Sequence, residues 1–201
     1  GVDAARFNAF LDKQLQPIPA ALGVMVLGPD GVTRFGSRDT RLGVNLADRA
    51  YFTSAREGRG TGLIFDGPLV TRGSEVQVLV VARRLDRPDG SFGGVVAVTL
   101  KTEALGQLLA KLRLGPSGVA ALRGFDMAQI ARHPHLEGVG VGVGNKTVAP
   151  AVQARIREQP AGGSYVGTSP LDNIRRIHAY RQVENYPFFV NVGRAEDDYL
   201  S

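Results

Sequence analysis

The side chains best suited to chemistry stand together around a short predicted helix for which Asp48 is the predicted N-cap. Arg49 carries a planar guanidinium whose donors match a carboxylate. Tyr51 and Phe52 supply ring faces that can hold an apolar group or a cation. Glycines within residues 58–62 would let the following chain bend closely over a small guest. The pattern fits a small-molecule site, and it fits equally well an amphipathic helix in which Arg49 pairs with an acid.

Other patterns that often carry chemistry are incomplete. Residues 140–147 approach a phosphate-binding loop, but Asn145 stands where that loop requires glycine. His133 and His135 could share a metal ion, but no carboxylate pair nearby completes the coordination shell. No serine lies in the Gly-x-Ser-x-Gly pattern of a hydrolase. We therefore predict no catalytic residue, no metal site and no cofactor.

Composition and charge exclude several classes of protein. Of 201 residues, 43% are hydrophobic and 21% charged, which is typical of a globular domain with a real core. The net charge is +5, but the arginines are dispersed, and phosphate binding needs clustered charge, so we predict no nucleic-acid partner. No apolar run approaches the ~20 residues that span a bilayer. The first residue is glycine, so we interpret the chain as a piece of a longer protein.

Hydrophobic periodicity predicts an order of elements that occurs twice. Residues 2–15 carry apolar side chains at helical spacing, and Pro17 would end that helix. Beyond residue 118 the succession of hairpin, helix and long strands begins again. Long strands joined by tight turns, with helices between them, predict an α+β fold built from antiparallel sheets. In the first copy the predicted strands are 23–27, 32–36, 62–65, 76–85 and 92–100, and the predicted helices are 49–56 and 103–112.

Short motifs in a fixed order resemble the double Cache sensor domain, a PAS-like family. The resemblance covers nearly the whole chain, and it rests on the order and duplication of the motifs more than on any single one. In the first half the matching segments are 48–52, 67–68, 78–85, 88–90 and 93–96. In the second half they are 130–134, 169–172, 176–181 and 186–187.

The resemblance implies a domain organisation. A long N-terminal helix for signalling and dimerisation would occupy residues 1–22, followed by two tandem PAS-like (Cache) modules. The membrane-distal module would span residues 23–113, and the membrane-proximal module would span residues 114–201. Each module is expected to be an antiparallel sheet flanked by helices.

The resemblance also implies a function. The chain would be the periplasmic, small-molecule-sensing region of a bacterial inner-membrane receptor, with transmembrane helices flanking it outside this chain. The receptor's output would be a histidine kinase or a diguanylate cyclase, so the sensing region itself would not be an enzyme. We expect a homodimer packed along the N-terminal helix.

Amino-acid-binding members of the family hold their ligand with an arginine and two aromatic residues, which Arg49, Tyr51 and Phe52 match. Leu69 stands where those members have a tyrosine, and Thr99 stands where they have the aspartate that binds the ligand's ammonium group. A buried ammonium without a carboxylate is poorly paired. The resemblance therefore favours a small carboxylate or a neutral metabolite in the distal module.

Further polar candidates lie in both halves. Arg72 and Gln77 could contact the ligand of the distal module, although an ordinary surface role also fits Arg72. In the proximal module the first residues to examine are Tyr165, Asp172, Arg175 and Tyr180.

Two alternatives stay open. A PAS-like interaction or structural module without a small ligand would show an exposed apolar patch in place of a lined cavity. An enzyme of unrecognised class would need a catalytic motif that the sequence does not display.

Overall fold

Two runs of strands and turns fold into two five-stranded antiparallel sheets, one in each half of the chain. The computed structural model describes residues 3–37, 39–58, 62–72, 74–136 and 142–195, together with Gly138 and Asp198. The chain divides into a first unit, Gly1–Lys101, and a second unit, Thr102–Ser201. This arrangement confirms the predicted α+β class with two similar sheets. No helix in the described ranges is long and apolar enough to cross a membrane.

The first unit contains two helices and five strands. The sheet order is β2-β1-β5-β4-β3, so the last strand of the unit lies at the centre of the sheet. Helix α1 packs against β1 and β2, and helix α2 packs against β3, β4 and β5. The elements are α1 (Ala4–Leu15), β1 (Ala21–Leu27), β2 (Thr33–Gly36), α2 (Ala50–Arg56), β3 (Ile64–Val70), β4 (Gln77–Asp86) and β5 (Phe92–Lys101).

The second unit repeats this plan. Its sheet order is β7-β6-β10-β9-β8, which again places the last strand between the first and the fourth. The predicted duplication is therefore visible in the topology. The elements are α3 (Thr102–Ala110), β6 (Val119–Gly124), β7 (Gln129–His133), α4 (Pro150–Glu158), β8 (Gly162–Thr168), β9 (Arg175–Gln182) and β10 (Phe188–Ala195).

Two boundaries differ from those expected from the sequence. The expected division lay after residue 113, but helix α3 packs against β7 and β6, so the structural units divide after Lys101. The N-terminal helix was expected to occupy residues 1–22, but α1 has 12 residues, Ala4–Leu15. Asp3 caps it by accepting a hydrogen bond from the Arg6 backbone N–H at 3.1 Å.

The core of the first unit forms between α2 and the centre of its sheet. Phe52 is fully buried, and its ring meets that of Phe92 edge-to-face, with centroids 5.5 Å apart. Val78 and Val95 are also fully buried in this cluster. An aromatic side chain buried to this degree contributes substantially to the stability of the unit.

We expect Phe52→Ala to lower the free energy of unfolding of the first unit by about 3–5 kcal/mol, because it removes a buried ring and leaves a cavity. Leu63→Ala is the matched control, since Leu63 is 49% exposed in the same unit, and its effect should stay within about 0.5 kcal/mol. Urea unfolding followed by circular dichroism measures both values. Equal losses in the two variants would contradict the assignment of Phe52 to the core.

Candidate functional site

A cavity of about 300 Å³ lies in the first unit, beside the start of α2. Central strands of the sheet and the loops before α2 and after β3 contribute its lining. Most of that lining is apolar, with side chains such as Met25, Leu46 and Val80, while hydroxyl and guanidinium groups supply polar points. A mostly apolar cavity with a few placed polar groups is the usual form of a small-molecule site.

Arg49 lies at the cavity and at the N-cap position of α2, with extended backbone torsions of φ −72° and ψ 140°. Its Nη2 donates a hydrogen bond to the Val70 carbonyl oxygen at 3.3 Å. Within the described ranges no carboxylate lies at ion-pair distance from Arg49, so the alternative of a simple acid pair is not what the structure shows.

A different aspartate from the one expected caps helix α2. Asp48 was the predicted N-cap, but the carboxylate of Asp66, on β3, accepts the hydrogen bond from the Tyr51 backbone N–H at 3.2 Å. Asp48 instead pairs with Arg72, whose hydrogen bond lowers the pKa of the Asp48 carboxyl. Arg72 also donates to the Asn45 carbonyl at 3.0 Å and lines the cavity. The guanidinium of Arg72 thus fastens the loop before α2 to the loop after β3.

Three further predicted residues line the cavity. Tyr51 is 2% exposed, and burial raises the pKa of its phenol to about 12, so the hydroxyl stays protonated and neutral. The Thr99 hydroxyl donates to the Gly23 carbonyl at 3.2 Å across the β1–β5 pair, which leaves its oxygen able to accept. Leu69 contributes apolar surface.

Two predicted residues lie elsewhere. Tyr51 and Phe52 both belong to the core cluster, but Tyr51 also lines the cavity and Phe52 does not, since successive residues of a helix point about 100° apart. Gln77 is exposed at the start of β4, and strand alternation places it on the face opposite the buried Val78. Of the glycines expected to close over a guest, Gly60 lies outside the described residues.

Sequence reasoning missed a group of loop residues at the cavity. Four hydroxyl side chains and one carboxylate reach it from separate turns and strands, so no local spacing connects them. Asp39 is the one carboxylate lining the cavity in the described part of the chain. The hydroxyl residues are Thr33, Thr40, Thr71 and Ser74.

In the second unit the candidate Asp172 forms a buried ionic cluster. Its two carboxylate oxygens accept hydrogen bonds from Arg176 Nη1 and Nη2 at 2.8 and 2.9 Å, a bidentate pair. Arg132 Nη2 donates to the second oxygen at 2.6 Å. Both arginine side chains are at most 5% exposed, so the pairing is shielded from water. The cluster holds the loop that contains Asp172 against the sheet.

The other candidates of the second unit have separate places. The Tyr180 hydroxyl lies 3.2 and 3.0 Å from the carbonyls of Arg155 and Gln159, at the end of α4. Arg175 is exposed at the start of β9. Tyr165 stacks on His178, with ring centroids 4.6 Å apart and planes at 12°. His178 was not a candidate from the sequence, since an isolated histidine has no distinguishing context.

His178 is 5% exposed, and burial, followed by the nearby Arg176 charge, lowers its pKa to about 4. The imidazole is therefore neutral in the folded protein at neutral pH, while an unfolded chain takes up a proton near pH 6.5. Since the unfolded state binds the proton first, acidification through this range favours unfolding.

We expect the free energy of unfolding of the second unit to fall by roughly 3 kcal/mol from His178 alone as the pH drops from about 6.5 to 4. The His178→Gln variant should show a flatter pH dependence over this window, whatever its absolute stability. His133→Gln is the control variant, because it removes an exposed histidine from the same unit. Urea unfolding curves at several pH values give the free energy of unfolding as a function of pH. If this pH dependence is the same in His178→Gln as in wild type, the buried neutral ring is refuted.

Comparison with known proteins places this geometry in a family. The dCache_1_like model, described as a histidine kinase sensor domain, matches residues 102–193. The extracellular domain of rpHK1S-Z16, a protein assigned as a histidine kinase, is 30% identical with a TM-score of 0.87. That alignment covers 100% of this chain and 81% of the other. A comparison with curated proteins gave no match.

More distant solved structures share the fold. The ligand-binding domain of the Pseudomonas fluorescens chemoreceptor CtaA, solved with L-leucine, is 15% identical with a TM-score of 0.69, over 99% of this chain and 81% of that one. The sensor domain of the V. cholerae histidine kinase DctB is 14% identical with a TM-score of 0.60, over 96% and 79%. The resemblance seen in the sequence motifs is confirmed: the chain belongs to the dCache_1-like family of histidine kinase sensor domains.

Proposed function

We propose that this chain is the periplasmic sensing region of a bacterial membrane receptor, and that it binds a small carboxylate or neutral metabolite in the cavity of the first unit. The observation that carries the proposal is Arg49, which reaches this cavity without a carboxylate partner in the described ranges. A guanidinium at a mostly apolar cavity is suited to hold the carboxylate of a ligand whose body fills the rest.

Relatives of the same fold support a sensing role. Solved structures of this fold include the ligand-binding domain of CtaA with L-leucine and that of the Campylobacter jejuni chemoreceptor Tlp3 with 4-methylisoleucine. In this chain Thr99 offers a hydroxyl where amino-acid binders of the family have the aspartate that receives the ammonium group. The carboxylate that does line the cavity, Asp39, is exposed, so water would weaken its attraction for an ammonium ion. The guanidinium of Arg49, together with the lack of a buried carboxylate among the described cavity residues, favours a ligand with a carboxylate and no amino group.

The test compares L-leucine with 4-methylpentanoate, which is leucine without its amino group. We expect 4-methylpentanoate to bind more tightly in isothermal titration calorimetry. Arg49→Gln should weaken its binding by about tenfold or more, because a charge-assisted hydrogen bond is lost. Arg34→Gln is the matched control, since Arg34 is paired with Asp30 outside the cavity, and binding should be unchanged.

Two outcomes would contradict the proposal. Tighter binding of leucine that Asp39→Asn weakens would assign the cavity to amino acids. Absence of binding by either compound in calorimetry, and of any rise in unfolding temperature with other small carboxylates, would favour the interaction module without a small ligand.

A ligand can act on the receptor only through different affinities for two arrangements of the domain. We place the homodimer contact of the full receptor along α1, where Phe10 is 52% exposed and stacks on Phe7. An exposed aromatic ring on a helix is a suitable contact between two copies.

Phe10→Glu should lower the dimer fraction of the full-length receptor in detergent, measured by analytical ultracentrifugation, because it places a charge in an apolar contact. Lys13→Glu is the control for charge on the same helix. An equal dimer fraction in Phe10→Glu and wild type would exclude α1 as the contact.

A further inference from the structure

A second cavity, of about 200 Å³, lies inside the second unit. One side is apolar and includes Val152 and Ile156 of α4 and Phe189 of β10. The other side carries polar side chains, of which Arg123, Arg132 and His178 are buried. Tyr165 and Asn191 also line this side and are partly buried.

The sheet register brings the polar groups to one face. Ala121 of β6 lies opposite Arg132 of β7 and opposite Asn191 of β10. His178 of β9 lies opposite Tyr165 of β8. Directly paired residues of an antiparallel sheet project to the same side, so these side chains converge although they come from five strands.

Arg123 is a buried cation without a carboxylate partner in the described part of the chain. It is 6% exposed and donates to the carbonyls of Met127 at 2.6 Å and Asn145 at 3.0 Å, and to the Gln129 side-chain oxygen at 3.2 Å. Burial lowers its pKa to about 10, so it remains charged at neutral pH. The carbonyls hold the guanidinium in place but supply no opposite charge.

Arg132 adds an unused donor. Its side chain is 5% exposed, and its Nη2 is engaged by Asp172, but its Nε is buried and has no hydrogen-bond partner among the described residues. A buried donor left unpaired is destabilising unless something accepts from it. Asp172 pairs with two buried guanidiniums, Arg132 and Arg176, and the buried Arg123 adds a third without a carboxylate partner among the described residues. The local charge is therefore positive.

The hydrogen bonds around Asn191 indicate the orientation of His178. The Tyr165 hydroxyl donates to Asn191 Oδ1 at 3.3 Å, which turns Asn191 Nδ2 toward His178 Nδ1, also at 3.3 Å. An amide nitrogen can only donate, so Nδ1 accepts and the proton of the neutral ring resides on Nε2. His178 therefore adds an uncharged donor to a positively charged cavity.

We propose that this second cavity is a binding site for a small carboxylate anion, separate from the cavity of the first unit. The guanidiniums of Arg132 and Arg123, whose side chains both line the cavity, supply the opposite charge and the donors. The apolar side formed with α4 accommodates a short hydrocarbon body, which an inorganic oxyanion lacks. The inference stands on the second unit alone and does not depend on the function proposed for the first.

The test uses the wild-type 201-residue chain labelled with ¹⁵N. Propionate is the probe, and the arginine Nε–H signals, assigned through bonds, are the readout. We expect a saturable shift of the Arg132 Nε–H signal, because a carboxylate bound beside this guanidinium changes the electrostatic surroundings of the Nε–H group. The same titration with chloride corrects for ionic strength, and inorganic phosphate tests a purely polar anion.

Variants then assign the binding to these side chains. In a chain that already carries Arg49→Gln, which disables the first cavity, calorimetry should show propionate binding about tenfold or more weaker after Arg132→Gln. Arg181→Gln is the matched control, because Arg181 is exposed on β9 outside the cavity, and it should leave the affinity unchanged. Circular dichroism establishes whether each variant is folded. If Arg132→Gln does not fold, the shift measured on the wild-type chain remains the test of the proposal.

Several results would overturn the proposal. One is the absence of a saturable shift at Arg132 with propionate. Another is a shift with phosphate and none with propionate, which would make the site one for an inorganic oxyanion. A third is propionate affinity that Arg132→Gln and Arg181→Gln reduce equally, which would indicate a general effect of surface charge.

Discussion

Each unit depends on the pairing of its first strand with its last. In the first unit β1 pairs with β5, for example Val24 with Val98, and in the second β6 pairs with β10, for example Ala121 with Asn191. These long-range ladders close a loop of the chain and place the intervening helix and turns over one face of the sheet. Both cavities lie among the segments enclosed in this way.

The same scaffold supports two different electrostatic environments. In the first unit Arg72 is 46% exposed on its side chain and paired with Asp48, so water screens much of the charge. In the second unit Arg123 and Arg132 are almost fully buried, and their charges act through a medium of low polarity. A given anion would therefore feel a stronger field in the second unit, but the arginines there have lost more hydration.

Much of the fold follows from sequence patterns, because turns, proline stops and alternating strands are local properties. The cavity position of Arg49, Tyr51 and Thr99 was also predictable, through the motifs that the chain shares with its family. Phe52 shows the limit of that reasoning, because adjacent residues on a helix face different surroundings. The boundary between the two units was also not predictable. Helix α3 belongs to the second unit because it packs against β7 and β6, and no local sequence pattern predicts that packing.

The rest of the site depends on contacts between distant segments. Asp66, on β3, accepts the hydrogen bond at the start of α2. Asp48 was the expected cap because it is next to the helix in sequence. The buried arginines of the second unit were missed because arginine is usually exposed, and only the sheet register brings β6 and β7 together at the cavity.

The shared carboxylate of Asp172 has a mechanical consequence. This side chain also accepts from the Ile174 backbone N–H at 3.3 Å, so the loop before β9 is anchored through one group to both Arg132 and Arg176. Arg176 holds this carboxylate through two hydrogen bonds and Arg132 holds it through one. Loss of the Arg132 hydrogen bond alone would therefore leave the loop attached through Arg176.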